Sequence, residues 1–341
     1  MNVEYDMELV SLVTPGWNGK TFVHRLLDSI LQQRYRPIQY IYVDDCSTDG
    51  TVDVVKSYEQ RFKDANIDFI FVQREQNGGL SEAVMTGLQY VKGEFFSCPE
   101  YDDVLMPTSI EKRVLYLQKH LECAVVTADA WVASDEDLTK HNHLISNKNI
   151  NRFDLNHFHQ SCLSRSIYNA ACFMIRTSMF DETHPNRRFY SSRMAANQQI
   201  LLPLYYHWNR GFIDEPLSLF VIRSNSVSHR NNATLQQKLD RLEEYHKILF
   251  TTLDSIEMLD EDRDLYKHRI DVNFQKDYIE LGFNYNDKNL FASAYNYLEK
   301  EGELPIGSFR KRQIMEGGWP RISYKLTQKL QMVFPFVKNS L

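Results

Sequence analysis

The chain has 341 residues, 43% of them hydrophobic, which predicts one large domain with a substantial core and a smaller extension. Its formal net charge of −6 and its pI near 6.0 argue against a general nucleic-acid-binding protein. Such a protein needs a basic surface that neutralises phosphates and so releases their counterions. The charge is uneven, since residues 309–341 carry a net of +6 and leave −12 for residues 1–308. This basic tail predicts an anionic partner.

The cysteines and the hydropathy pattern indicate the cellular compartment in which the protein is expected. Five cysteines show no C-x-x-C spacing, and an odd number cannot all pair within the chain. The first residues, MNVEYDMELVSLV, carry acids where a secretory signal needs positive charge, and no stretch has 18 uninterrupted apolar residues. The sequence therefore predicts a reduced, cytoplasmic protein without a membrane-spanning helix.

Strand and helix patterns alternate through the first 132 residues. Apolar runs predict strands at 9–14, 38–43, 68–73, 93–97 and 123–132. Between them, apolar residues at helical spacing predict helices, one of which ends at Gly93 as a C-cap and another of which opens with the capping-box pattern Thr108-x-x-Glu111. This alternation predicts an α/β fold, a doubly wound and mostly parallel sheet covered by helices on both faces.

The later part of the chain has a different pattern. Residues 133–230 mix shorter elements, with a helix predicted at 197–208, and the pattern is helical from about residue 232 onward. We therefore predict a main domain at 1–230, with halves at 1–132 and 133–230, and a helical extension at 231–341 that includes the basic tail.

Acidic residues cluster directly after the fourth predicted strand, in the segment EYDDVLMP. Glu100, Asp102 and Asp103 should lie at the carboxyl end of that strand, where open α/β sheets bind their ligands. Mg²⁺ and Mn²⁺ prefer oxygen ligands, relieve the repulsion between neighbouring carboxylates and usually hold substrate phosphates as well. The cluster predicts a metal-diphosphate site, and the alternative for Asp102 is an ordinary acid in a surface turn.

The first strand is followed by GWNGK, which is neither G-x-G-x-x-G nor a P-loop. A dinucleotide-binding dehydrogenase and a P-loop kinase are therefore disfavoured. A nucleotidyltransferase would also use acids and Mg²⁺ on an α/β sheet, but the chain has no glycine-rich triphosphate loop near its N-terminus.

The segment VSLVTPGWNGKTFVHRLLDSILQQRYRPIQYIYVDDCSTDGT resembles the opening of glycosyltransferase family 2, inverting enzymes with the GT-A fold. EYDDVLMP stands where that family has its D-x-D motif, and GFIDEPLSLFVIRSNSVSH resembles the end of the catalytic domain in bacterial capsule and exopolysaccharide enzymes. The resemblance covers residues 8–230. It implies a GT-A catalytic domain that transfers a sugar from a nucleotide sugar, most often UDP-linked, to a hydroxyl of a glycan or lipid-linked acceptor, with Mn²⁺ or Mg²⁺ as cofactor.

The resemblance also implies roles for individual residues. Those that would bind the nucleotide are Thr14, Pro15, Asp45, Asn77, Glu100 and Tyr101, with Asp45 accepting from the uracil ring. Asp102 would be the direct metal ligand, and His229 would complete the coordination of the metal. The alternative for His229 is an ordinary surface histidine.

Three positions depart from the family pattern. Glu100 replaces an aspartate, Val84 stands where an arginine is common beside the nucleotide, and Asn197 occupies the position of the aspartate that acts as general base. An amide is not a base near neutral pH. Either Asp181 or Glu182 acts from the acceptor side, or the alignment slips by a few residues, or the enzyme is slow or inactive.

Two further alternatives stay open. A chain without a catalytic base could be a nucleotide-sugar-binding scaffold of a polysaccharide assembly complex. In the tail, Ile322, Leu326 and Leu330 recur at helical spacing beside basic residues, which predicts either a peripheral contact with the membrane or a helix packed on the protein's own body.

Overall fold

The computed structural model describes residues 5–146, 150–164, 170–223 and 234–317. The chain divides into two compact units, of which the first takes residues 1–232 and 243–263 and the second takes 233–242 and the chain from 264 onward. The predicted extension, residues 231–341, therefore differs from the second unit mainly in residues 243–263. That segment belongs to the first unit and contributes the buried side chains Ile248, Leu249 and Leu253.

The strands and helices follow in chain order. They are β1 (Asp6–Gly16), α1 (Val23–Leu31), β2 (Ile38–Asp44), α2 (Thr51–Lys56), α3 (Glu59–Asp64), β3 (Ile67–Gln73), α4 (Leu80–Leu88), β4 (Gly93–Ser97), β5 (Val104–Leu105), α5 (Ser109–Lys119), β6 (Cys123–Ser134), β7 (Asp137–Leu144), α6 (Phe158–Ser164), β8 (Phe173–Arg176), α7 (Thr177–Thr183), α8 (Ala196–His207), β9 (Asn209–Ile222), α9 (Leu235–Ser255), α10 (Asp260–Tyr285), α11 (Lys288–Glu301) and α12 (Ser308–Met315).

Within the described residues, nine strands form one sheet in the order β3-β2-β1-β4-β8-β6-β9-β5, with β7 paired to β6. Strands β1 to β4 are parallel to one another, as are β6 and β9. Strand β8 is antiparallel to both of its neighbours, β4 and β6. The predicted α/β fold with a mostly parallel sheet is confirmed. The carboxyl ends of β1 to β4 share one edge of this sheet, which we call the carboxyl edge.

The sheet is covered on both faces, so its central strands carry apolar side chains on both sides. All seven residues of β2 are buried. On one face, Tyr40 of β2 lies 5.2 Å from Phe62 of α3 and 5.8 Å from Phe69 of β3, measured between ring centroids. These rings are part of the main core, which extends under α1 and α5.

Two local predictions differ from the structure. Helix α4 ends at Leu88, and Gly93 begins β4 instead of capping the helix. A Cβ at Gly93 would lie 2.5 Å from the carbonyl oxygen of Leu9, so the glycine is needed where β4 approaches β1. Thr108 does precede α5, but its side chain makes no capping hydrogen bond.

The second unit is helical, which confirms the predicted helical extension. Its core joins α10, α11 and α12 through Phe283, Phe291, Leu298 and Ile314. Asp287 caps α11 by accepting a hydrogen bond from the backbone N–H of Leu290 at 3.0 Å. None of the helices in the described ranges is both long and apolar enough to span a membrane. Most of the basic tail, residues 318–341, lies outside the described residues.

Candidate functional site at the carboxyl edge of the sheet

Four connections begin at the carboxyl edge, and we name them by position. They are the first loop (17–20) after β1, the second loop (45–50) after β2, the third loop (74–79) after β3 and the acid turn (100–103) after β4. Since parallel strands bring their carboxyl ends together, these four connections are neighbours in space.

The first and second loops hold each other through backbone and side-chain hydrogen bonds. The backbone N–H of Asn18 donates to the Ser47 hydroxyl at 2.9 Å, and its side-chain oxygen accepts from the N–H of Thr48 at 2.9 Å. The N–H of Gly19 donates to the Thr51 hydroxyl at 2.8 Å. The polar residues after β2 therefore fix the first loop as well as the start of α2.

Asp45 joins the second loop to the third. Its Oδ1 accepts from the guanidinium of Arg74 at 2.7 Å and from the N–H of Gly78 at 3.0 Å, and its Oδ2 accepts from the N–H of Gly79 at 2.7 Å. The side chain of Asn77 donates to the Asp45 carbonyl oxygen at 3.1 Å. Because Gly79 precedes α4, the buried carboxylate also lies at the positive end of that helix.

Thr14 and Pro15, both predicted to line the nucleoside, lie at the end of β1 and are buried. Next to them the Tyr42 hydroxyl reaches the backbone of β1, and a Cβ at Gly16 would lie 1.9 Å from it. Only glycine fits that position. The structure therefore brings Thr14 and Pro15 to the carboxyl edge, and their contact with a nucleoside stays a prediction.

The acids of the acid turn have different environments. Asp103 is buried and closes the turn, because its Oδ2 accepts from the N–H of Glu100 at 3.2 Å while its own N–H donates to the Glu100 carbonyl at 3.0 Å. Glu100 and Asp102 are half-buried. Burial, followed by the negative charge of Asp102, raises the pKa of Glu100 to about 7, although the charge of Arg223 acts in the opposite direction. Tyr101 packs on the first loop, where a Cβ at Gly19 would lie 2.6 Å from its ring.

Asp102 is paired with an arginine. Nη2 of Arg223, the residue directly after β9, lies 2.5 Å from Oδ2 of Asp102. The same guanidinium stacks over the ring of Phe22 at 4.4 Å. Asp102 thus already has a cationic partner within the protein.

The acid turn offers two carboxylates, from Glu100 and Asp102, for a divalent cation. Among the residues that the structure describes, no three His, Cys, Asp or Glu side chains are arranged as a metal site, and His229 lies outside those residues. Mg²⁺ is usually bound through one or two carboxylates together with substrate phosphates and water. The carboxylates of Glu100 and Asp102 therefore fit such an ion by ligand type, although Asp102 is paired with Arg223 in this structure.

Hydrogen bonds join the segment before α8 to the third loop and to the start of α4. The guanidinium of Arg193 donates to the side-chain oxygen of Asn77 at 2.9 Å, and the N–H of Ser81 donates to the Ser192 carbonyl at 3.1 Å. A Cβ at Gly79, whose φ is +87°, would lie 2.7 Å from the Arg193 side chain. The segment before α8 therefore lies against the loop that surrounds Asp45.

Three amides open α8, and they differ in their contacts. Gln198 donates to the Ser161 carbonyl at 2.8 Å and Gln199 donates to the Tyr190 carbonyl at 3.0 Å, so both stabilise the protein itself. The half-buried side chain of Asn197 makes no hydrogen bond to any residue in the described ranges. Of the three amides, Asn197 is thus the one available to a substrate.

Asp181 and Glu182, the predicted alternative bases, are not brought to this site. Asp181 accepts from the Tyr5 hydroxyl at 2.8 Å and from two nitrogens of Arg187, each at 2.8 Å. Tyr5 directly precedes β1, and the eleven residues of that strand place it about 33 Å from the carboxyl edge. The reason is the direction of β8, which is antiparallel and therefore delivers α7 to the opposite edge.

Three arginines of this region, Arg74, Arg193 and Arg223, were not predicted from the sequence. Arg74 and Arg223 each come directly after a strand, so the rule that points to strand ends would have found them. No local signal marks Arg193. Val84, where the family pattern has an arginine, is buried in the core, so position 84 supplies no cation to the loops at the carboxyl edge.

The sequence matches known proteins. The profile of Glycosyl transferase family 2 matches residues 11–183. An uncharacterized glycosyltransferase of Rickettsia prowazekii is 34% identical over 33% of this chain and 32% of its own length. The putative teichuronic acid biosynthesis glycosyltransferase TuaG of Bacillus subtilis is 31% identical over 37% of this chain and 49% of its own length. The chain thus spans about a third to a half of the length of these curated relatives.

The fold resembles two solved structures. A crystal structure of S. aureus TarS residues 1–349 in complex with UDP-GlcNAc has a TM-score of 0.62, 16% identity, and coverage of 84% of this chain and 79% of that one. The mannosyltransferase PcManGT from Pyrobaculum calidifontis in complex with GDP-Man and Mn²⁺ has a TM-score of 0.56 and 13% identity, and covers 97% of this chain and 86% of that one. At these identities the likeness shows the fold, which is GT-A-like.

We expect Asp45→Asn to lower the free energy of unfolding by about 2 kcal/mol, because the buried amide cannot replace the charged acceptor of Arg74 and of the two glycine N–H groups, and Arg74 keeps only the longer contact with Glu82, at 3.5 Å. Urea unfolding measures the change. The matched control is Asp135→Asn, which breaks the more exposed pair with Arg25 and should cost less than about 1 kcal/mol. Equal losses in the two variants would show that Asp45 does not organise the loops.

Proposed function

Because the chain belongs to glycosyltransferase family 2, we propose that it transfers a sugar from a UDP-sugar to an acceptor hydroxyl, with inversion and with Mn²⁺ or Mg²⁺ as cofactor. The observation that carries this proposal is the convergence of the loops around Asp45 with the acid turn at one edge of the sheet. The second loop has the donors and acceptors to hold a base, and the acid turn has the carboxylates to hold a cation beside a diphosphate.

Asp45 and its neighbours form the nucleotide side of the site. Oδ2 of Asp45 accepts one hydrogen bond, from Gly79, and a carboxylate oxygen has room for a second, which is the capacity that a uracil N–H requires. Arg74 and the two glycine N–H groups hold the carboxylate in a fixed orientation. Thr14, Pro15, Asn77 and Tyr101 are proposed to complete the nucleotide contacts.

Glu100 and Asp102 are the residues that would hold the cation, with His229 as a further proposed ligand. When bound, such a cation acts as a Lewis acid and offsets the charge that develops on the leaving UDP. Glu100 and Asp102 would hold that cation beside the diphosphate, which their own carboxylates would otherwise repel, and the buried Asp103 stabilises the observed conformation of the turn.

Removal of the acceptor proton is the step for which the described residues supply no carboxylate at the expected place. Asn197 stands at the start of α8 with its amide available, and Asp181 is held by Tyr5 and Arg187 at the opposite edge. We propose that Asn197 orients the acceptor hydroxyl without taking its proton, which passes to solvent water instead, so that transfer is slow. The second candidate function is a nucleotide-sugar-binding scaffold without catalysis, which the same observation favours. A panel of UDP-sugars, assayed for transfer and for donor hydrolysis, distinguishes the two.

We expect UDP to bind the protein about 5- to 150-fold more tightly with Mn²⁺ than in a chelator, a range typical of coupled sites. Asp102→Asn should remove most of this difference, because it removes the proposed metal-binding charge. Isothermal titration with UDP in both conditions measures it, and Asp135→Asn serves as a control outside the acid turn. Equal UDP affinity with and without metal in the unmutated protein would contradict the metal assignment.

We expect Asn197→Asp to raise turnover by about 10² to 10⁴-fold, the contribution typical of a general base. Gln198→Glu is the matched control. The amide of Gln198 is next in sequence but donates to the Ser161 carbonyl, so this variant should give no gain in turnover. Initial rates with saturating donor measure the effect. If Asn197→Asp changes nothing while Asp181→Asn or Glu182→Gln abolishes transfer at unchanged stability, the base is on the other edge and this assignment is wrong.

The proposed acceptor is a glycan or a lipid-linked saccharide, and the proposed location is the cytoplasmic face of the membrane. The basic tail supports this, because attraction to anionic lipid and burial of apolar residues add together. The alternative is that the tail packs on the protein itself.

We expect full-length protein to bind phosphatidylglycerol vesicles at low salt and phosphatidylcholine vesicles much less, with binding lost as salt rises. Deletion of residues 318–341, which leaves α12 and its buried Ile314 in place, should abolish binding and retain activity on a soluble acceptor. Vesicle sedimentation is the measurement. Undiminished binding after the deletion would exclude residues 318–341 as the membrane contact.

A further inference from the structure

Arg223 and Asp102 form an ion pair that is largely withdrawn from water. Their side chains are 15% and 14% exposed, and the guanidinium carbon lies 4.4 Å from the ring centroid of Phe22 and 5.7 Å from that of Tyr101. Screening by salt is weak for charges buried to this degree. Arginine suits the position because its planar, permanently charged group can pair with a carboxylate and stack on aromatic rings at once.

A divalent cation bound at Asp102 would compete with this guanidinium. Both are positive, both require the same carboxylate, and like charges within a few ångströms repel strongly in a partly buried site. We propose that Arg223 is an internal counter-ion of Asp102 whose positive charge opposes a divalent cation at the same carboxylate, so that Arg223 lowers the affinity of the acid turn for the cation. This inference rests on the proposed metal-dependent transfer.

The ion pair between Arg223 and Asp102 also has a feature that makes it easier to break. Nε of Arg223 is buried and has no hydrogen-bond partner among the described residues. A buried donor without a partner carries a desolvation cost, so Arg223 gains less from this position than a fully bonded arginine would. The cation alone must overcome the ion pair, whereas a cation that arrives with a diphosphate brings further oxygen ligands of its own. The arrangement therefore favours joint binding of metal and nucleotide over metal binding alone.

The test measures binding of MnCl₂ without nucleotide, by the electron paramagnetic resonance signal of unbound Mn²⁺. Arg223→Gln removes the counter-ion, and we expect its Kd for Mn²⁺ to fall at least about fivefold relative to the unmutated protein. Arg223→Lys retains a charge and should give a smaller change. In Asp102→Asn/Arg223→Gln the gain should disappear, because the carboxylate that the cation takes over is absent.

Arg25→Gln is the matched control. Arg25 also stacks on Phe22, at 5.2 Å, and also forms an ion pair, with Asp135 at 2.6 Å. The variant changes net charge by the same amount and disturbs the same ring, and we expect an unchanged Kd for Mn²⁺. Thermal unfolding verifies that each variant is folded at the temperature of the titration.

Unchanged or weaker Mn²⁺ binding in Arg223→Gln would overturn the inference. An equal gain in Arg25→Gln would overturn it too, since the effect would then be one of net charge. UDP binding in a chelator separates this inference from the function on which it rests. If UDP binds but no variant binds Mn²⁺, the counter-ion role and the metal assignment both fail while nucleotide binding stands. If UDP does not bind with or without Mn²⁺, the proposed function itself fails.

Discussion

The buried carboxylate of Asp45 is the constraint on which the candidate site depends. A charge at 3% exposure is tolerated only when it is paired and hydrogen-bonded, and Arg74, Gly78 and Gly79 supply these bonds. The third loop therefore folds back over the end of β2. Gly79 has a φ of +87°, a conformation that favours glycine, and its N–H reaches the carboxylate. The bonds of one carboxylate thus hold the course of the loop and the entry into α4.

The acid turn shows how neighbouring residues of one type acquire separate functions. Asp103 faces inward and holds the turn together, whereas Glu100 and Asp102 remain half-buried with a charge that one arginine does not fully balance. The pKa of Glu100 is raised to about 7 first by burial, which disfavours the charged form, and then by the negative charge of Asp102. Both causes are local and do not depend on the net charge of the chain.

Sequence reasoning succeeded where the relevant signal is local. The alternation of strand and helix patterns predicted the α/β fold, and the rule that ligands bind at strand ends pointed to Asp45 and the acid turn, both of which lie at the carboxyl edge. Sequence reasoning could not predict which distant segments pair with each other. The four residues of β8 give no sign of their antiparallel direction, and that direction carries Asp181 to the far edge. The pairing of Asp102 with Arg223 depends likewise on the register of β9 against its neighbours, which no spacing along the chain encodes.

The hydrogen bond between Arg193 and Asn77 joins the start of α8 to the third loop, and this has a consequence for how the protein can change over evolution. A substitution that moves the start of α8 also moves Asn77, and through it the backbone of Asp45. In the proposed assignment, donor and acceptor bind to linked segments, and coupling between two ligands is reciprocal: each changes the affinity for the other by the same factor. A substitution that adapts the start of α8 to a new acceptor therefore also acts on the residues proposed to hold the donor.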